Sequence, residues 1–139
     1  MNNLVWKRVK PLVEKDSINK FQEIYGIVFP EELKELIKVN NGGRPSLDII
    51  KTVEGEELEV KALLSFNKED VENIYNVINY FKEHFQGRIV PIATEPSGNY
   101  FCINLTNNSI VYWNHETNKE TLISNGIKEF LMSLYKANF

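Results

Sequence analysis

The chain has 139 residues, a formal net charge of −3, 42% hydrophobic and 25% charged residues, and a single cysteine, Cys102. That is the composition of an ordinary globular protein long enough to bury a core, with no apolar run of membrane-spanning length and no partner for an intrachain disulfide. The N-terminal MNNLVWKRVK lacks the apolar core and small-residue cleavage site of a secretory signal, so one domain over residues 1–139 in the cytoplasm, not attached to a membrane, is the expectation.

Val5, Val9 and Leu12 space a helical turn or two over Leu4–Val13, with Pro11 leaving its end open. Ile18, Phe21 and Tyr25 then share a helix face, with Asp16 or Ser17 as N-cap and Gly26 as the stop. Pro30 opens a second helix without losing a hydrogen bond, and Glu31 and Glu32 suit its positive end. Leu33, Leu36 and Ile37 form its buried stripe, Asn40-Asn41-Gly42-Gly43 ends it, and Arg44-Pro45-Ser46 reads as a loop. Two strands follow, Asp48–Val53 and a second in which Val60, Ala62, Leu64 and Phe66 alternate with mostly polar neighbours. Glu54-Gly55-Glu56 is the turn between them.

Over residues 68–85, Val71, Ile74, Tyr75, Ile78, Phe81 and Phe85 recur at helical steps and predict one long middle helix, capped by Asn67 and ended by Gln86-Gly87. The block RIVPIATEPSGNYFCINLTNNSIVYWNHETNKETLI reads as a β-meander punctuated by turn clusters at 96–99, 106–109 and 116–119, and Pro91 inside it marks an edge or a bulge. Ile127, Phe130, Leu131 and Leu134 share the face of a closing helix, with Ser124 or Asn125 as cap. Helices at both ends and in the middle, with hairpin-linked strands between, predict an α+β fold with a mainly antiparallel sheet.

Three stretches carry a resemblance. The first is I..F...YGI.FPEELKELI..NNGG from Ile18, the second RIVPIATEPSGNYFCINL followed by SIVYWNHE, and the third the terminal IKEFL. In that order they resemble the SMI1/KNR4 family, also called the SUKH superfamily, over most of the chain from Ile18 onward. The resemblance implies a non-enzymatic protein-binding role. Bacterial members look like immunity proteins that neutralise a cognate toxin, often a nuclease, while fungal relatives act as scaffolds in cell-wall regulation. This chain, without disordered extensions, is similar to the bacterial kind. Residues 47–86 correspond to the family's variable middle, so the partner's identity does not carry over.

Candidate chemistry is sparse. Cys102 with His115 is the one nucleophile–base pair to weigh, but Cys102 lies mid-strand between Phe101 and Ile103, where a buried small hydrophobe belongs. His115 and Glu116 are adjacent and His84 stands alone, so no metal-ligand spacing arises. The glycines of Gly42-Gly43-Arg44-Pro45-Ser46 follow a helix instead of opening one, which removes the phosphate-loop reading. Pro96-Ser97-Gly98-Asn99 precedes a strand and is a turn, not a nucleophile elbow. No catalytic residue, cofactor or metal is therefore expected.

Charge is uneven along the chain. Residues 31–60 hold Glu31, Glu32, Glu35, Asp48, Glu54, Glu56, Glu57 and Glu59 against Lys34, Lys38, Arg44 and Lys51, which speaks against nucleic acid and suits a basic protein partner. The acidic residues expected at such a surface are Glu54, Glu56, Glu57 and Glu59 on the hairpin, and Asp70 and Glu72 on the middle helix. Strand alternation sends Tyr112 and Trp113 to opposite faces, so core packing competes with an exposed aromatic anchor at one of them. The alternatives are a regulatory scaffold binding a cellular protein and a small Cys/His enzyme. The oligomeric state is open.

Overall fold

A computed structural model describes residues 3–137. The chain enters extended: β1 (Trp6–Lys7) stands where a helix over Leu4–Val13 was expected. Its conformation is set from outside the segment. The Asn41 side chain donates to the Lys10 carbonyl, and Asn67 donates to that of Pro11 while accepting from the Val13 amide. Those bonds satisfy the backbone groups that a helix would have paired internally.

The two helices α1 (Ser17–Tyr25) and α2 (Glu31–Asn40) form as their spacing predicts. Gly26 ends α1 in the left-handed region, φ 64°, a conformation that suits glycine. Pro30 opens α2, with Glu31 and Glu32 in its first turn. Arg44–Pro45, expected as loop, is a two-residue strand, β2, paired antiparallel with β1 as Trp6 opposite Pro45 and Lys7 opposite Arg44. Next come β3 (Ile49–Lys51) and β4 (Glu57–Glu59), an antiparallel hairpin turned around Gly55, and then β5 (Ala62–Leu63). The expected second strand is thus divided at Val60–Lys61, where the chain leaves the hairpin and joins a different sheet.

The long middle helix is the main correction. Only Ile78–Phe85 is α-helix (α3), preceded by a single 3₁₀ turn at Ile74–Asn76. Residues 67–73 form a loop stitched by side chains. The Ser65 hydroxyl donates to Asp70, and Asn73 donates to the carbonyls of Lys68 and Asp70. Asn67, expected as the helix cap, is spent on the N-terminal segment, and Asn73 accepts from the Asn76 amide in its place. Val71, assigned to the buried face by periodicity, is 90% exposed.

The meander forms as expected: β6 (Ile89–Thr94), β7 (Tyr100–Asn104), β8 (Ile110–Trp113) and β9 (Glu120–Ser124) extend β5 into a five-stranded antiparallel sheet in the order β5-β6-β7-β8-β9. Pro91 sits at a register shift between β6 and β7, so of the two expected settings the bulge is the one adopted. Helix α4 (Ile127–Met132) closes the chain with Gly126 at its N-cap position. Ser124 does not cap it; its hydroxyl donates to the Gly126 carbonyl.

Both faces of the sheet are covered, which explains why its central strands read as continuous apolar runs. Phe101, Ile103, Ile110 and Tyr112 pack with Phe21, Leu33, Ile37 and Phe130 from α1, α2 and α4. Cys102, Val111 and Trp113 pack with Phe81 of α3 on the other face. Phe21 is fully buried, 4.7 Å from Tyr25 and 5.1 Å from Phe66 between ring centroids, and such burial is worth roughly 1.5–3 kcal/mol.

Candidate protein-binding surface

The residues expected to meet a partner fall in three separate places. The β3–β4 hairpin carries the first set. Glu54 and Glu56 flank Gly55 at its tip, while Glu57 and Glu59 point outward along β4, with Leu58 buried between them. All four acids are exposed, and Val53 beside them is 91% exposed. Among the described residues Glu54, Glu56 and Glu59 have no ion-pair partner, whereas Glu57 accepts the Tyr135 hydroxyl. That hydrogen bond, reinforced by the nearby negative charge, pushes the Tyr135 phenol up to about 12.

Asp70 and Glu72 lie in the 67–73 loop, and their carboxylates are engaged. Asp70 accepts from Ser65 and from Asn67 at 3.1 Å, and Glu72 pairs with Lys61 at 3.2 Å. A carboxylate tied to its own loop holds that loop together and has less to offer an incoming cation.

Tyr112 and Trp113 do point to opposite faces, but both faces are covered, leaving them 8% and 4% exposed. The aromatic anchor expected at one of them is not presented to solvent. Tyr112 accepts from the Asn99 amide at 2.7 Å, and the Trp113 indole donates to Asn118 at 2.7 Å, so each polar tip is satisfied within the fold.

Cys102 is fully buried on the α3 face, and burial pushes its thiol well above the ordinary range. His115, in the turn between β8 and β9, is bonded to Asn99 just before β7, with its ring at 2.5 Å from the Asn99 oxygen. A thiol held protonated in an apolar core lacks the electropositive, accessible setting of a nucleophile. Among the described residues no group of three or more His, Cys, Asp or Glu is placed to hold a metal, and no helix is long and apolar enough to cross a membrane.

Two features escaped sequence reasoning. One is an open groove of about 470 Å³ between the hairpin tip and β9, lined by Thr52, Glu54, Lys119 and Thr121. It continues along β9 past Val53 and Leu122, the latter 52% exposed. The other is the edge position of β9, which depends on sheet order and leaves no local signal beyond the exposed apolar Leu122. Glu120 of β9 is held by a bidentate pair with Arg88, at 3.1 and 2.6 Å, which also raises the Arg88 pKa. A separate cleft of about 400 Å³ sets Arg8, Lys10 and Arg44 opposite Glu69, Asp70 and Glu72, a balanced arrangement with no net preference for either charge.

The family described as SMI1-KNR4 cell-wall matches residues 15–131. A curated relative, the SPbeta prophage-derived uncharacterized protein YokK of Bacillus subtilis (strain 168), is 32% identical over 69 residues, covering 47% of this chain and 36% of the relative. The matched stretch therefore spans about a third of that relative's length.

Proposed function

The chain belongs to the SMI1-KNR4 cell-wall family, and on that premise we propose that it is a non-enzymatic, immunity-type binding domain that neutralises a cognate toxin in the cytoplasm by covering the toxin's working surface. The observation that carries this reading is the β3–β4 hairpin, which projects Glu54, Glu56 and Glu59, without cationic partners among the described residues, around an exposed Val53. A toxin that acts on nucleic acid holds phosphates in a basic cleft. An acidic projection enters such a cleft as a mimic of the substrate's charge, speeds encounter and blocks access with no covalent step. The prophage origin of the Bacillus relative fits a gene carried between competing cells.

The test is co-expression with the product of the adjacent gene. The wild-type chain restores growth and co-purifies with that product, and the double variant Glu54→Lys/Glu56→Lys, which changes only exposed side chains, loses rescue. Wild-type protein that neither rescues nor co-purifies removes the immunity reading. Capture of a resident cellular protein in its place would support a regulatory scaffold, the role to which the family's cell-wall description points.

A further inference from the structure

One groove lies between the β3–β4 turn and the open edge of the five-stranded sheet at β9. On β9, the Lys119 carbonyl accepts from the Asn114 amide, so it faces β8. The alternation of an antiparallel ladder then turns the backbone groups of Glu120 and Leu122 to the outer side. β9 is the last strand of its sheet, so no strand among the described residues lies there. On β3, Ile49 exchanges both backbone bonds with Tyr135 on the side away from β4, while Thr52 donates to Glu56 across the hairpin. By the same alternation Lys51 faces the outer side, and Val53 lies in the turn that follows. Val53 and Leu122 both line the groove between the turn and β9.

An exposed edge of this kind is a template for pairing. Here the chain already uses part of it, because Tyr135 occupies the β3 edge at Ile49 as a one-residue bridge. We propose that the groove between the β3–β4 turn and β9 takes an extended, basic segment of the partner protein, which adds as a strand to β9 beside the hairpin. A backbone ladder along β9 would supply affinity, and alternate side chains the selectivity. Side chains of the inserted strand meet the apolar surface of Val53 and Leu122. Others meet Glu54 and Glu56, which outnumber Lys119 in the groove and select Lys or Arg over acidic residues. This rests on the reading of the chain as a protein-binding domain, and it adds the chemistry of what is bound.

The probe is a short fluorescein-labelled peptide alternating lysine with valine, titrated by anisotropy. Expected results are saturable binding, slowed hydrogen exchange at the Glu120 and Leu122 amides, and at least about tenfold weaker binding when alternate peptide nitrogens are methylated or lysine is replaced by glutamate. The Glu54→Lys/Glu56→Lys variant weakens binding without altering the unfolding transition. An N-methylated peptide that binds as well as its parent, or exchange at Glu120 and Leu122 that does not change, overturns strand addition. Sedimentation showing that a second copy of the chain occupies β9 also overturns it. Growth rescue separates the two readings: rescue that persists while the peptide fails to bind sinks the groove alone, and peptide binding without rescue sinks the toxin role alone.

Discussion

Asn41 joins three segments with one amide. It donates to the Lys10 carbonyl at 2.8 Å and to the Ser65 hydroxyl at 3.0 Å, and accepts from the Phe66 amide at 2.8 Å. It is 1% exposed, so water does not replace a lost partner. Asn41→Ala should therefore cost about 2–4 kcal/mol in urea unfolding, because groups on two other segments, at Lys10 and at Ser65-Phe66, lose their partner together. A loss within the error of the measurement would show that these bonds are not coupled to folding. Cys102 gives a prediction of the opposite kind. Its burial and raised pKa should leave it inert to thiol reagents in the native protein at neutral pH, and fully reactive in denaturant. Fast native labelling would revive a nucleophilic role. In the sequence Asn41 is legible only as part of a helix stop, since nothing local shows which distant backbone groups it serves.

Among the elements, the N-terminal segment depends most on others. β1 is two residues long, and among the described residues its strand partner is the equally short β2, so the side chain of Asn67 does much to keep the segment extended. Asn67→Ala should accelerate hydrogen exchange of the Val13 amide by about tenfold or more, while the amides of β7 and β8 keep their protection. Unchanged exchange at Val13 would mean that β1–β2 pairing alone suffices. The same residue explains the shortened middle helix. A helix starting at 68 needs Asn67 as its cap, and the fold places that amide on Pro11 and Val13 instead. Helical spacing persists from Val71 to Phe85, but the spacing alone does not outweigh a set of side-chain bonds that pins residues 67–73.

For the whole molecule, the arrangement of charge matters more than its sum. A net charge of −3 is mild, yet Glu54, Glu56 and Glu59 are concentrated on one projecting hairpin, while Asp70 and Glu72 are consumed elsewhere. Association with the partner should slow and weaken as salt rises through physiological ionic strength, where exposed charges are screened beyond about 8 Å. Charge reversal at Glu54 and Glu56 should flatten that salt dependence, whereas Glu72→Gln should leave it nearly unchanged. Stopped-flow mixing across a salt series reads both, and a salt-independent rate would remove the electrostatic contribution.

Local periodicity and turn chemistry were enough to determine α1, α2, the β3–β4 turn, the strands of the meander and the α+β class, because those signals are carried by residues near one another in the chain. The burial of Cys102 was equally legible from its apolar neighbours. Tertiary structure alone decided that Leu4–Val13 is extended, that residues 67–73 are a loop, and that Tyr112 and Trp113 are both enclosed. It also decided that β9 is an edge facing the hairpin. Each of these depends on which segment arrives to satisfy a backbone group or cover a face, and that is a property of contacts between residues far apart in sequence.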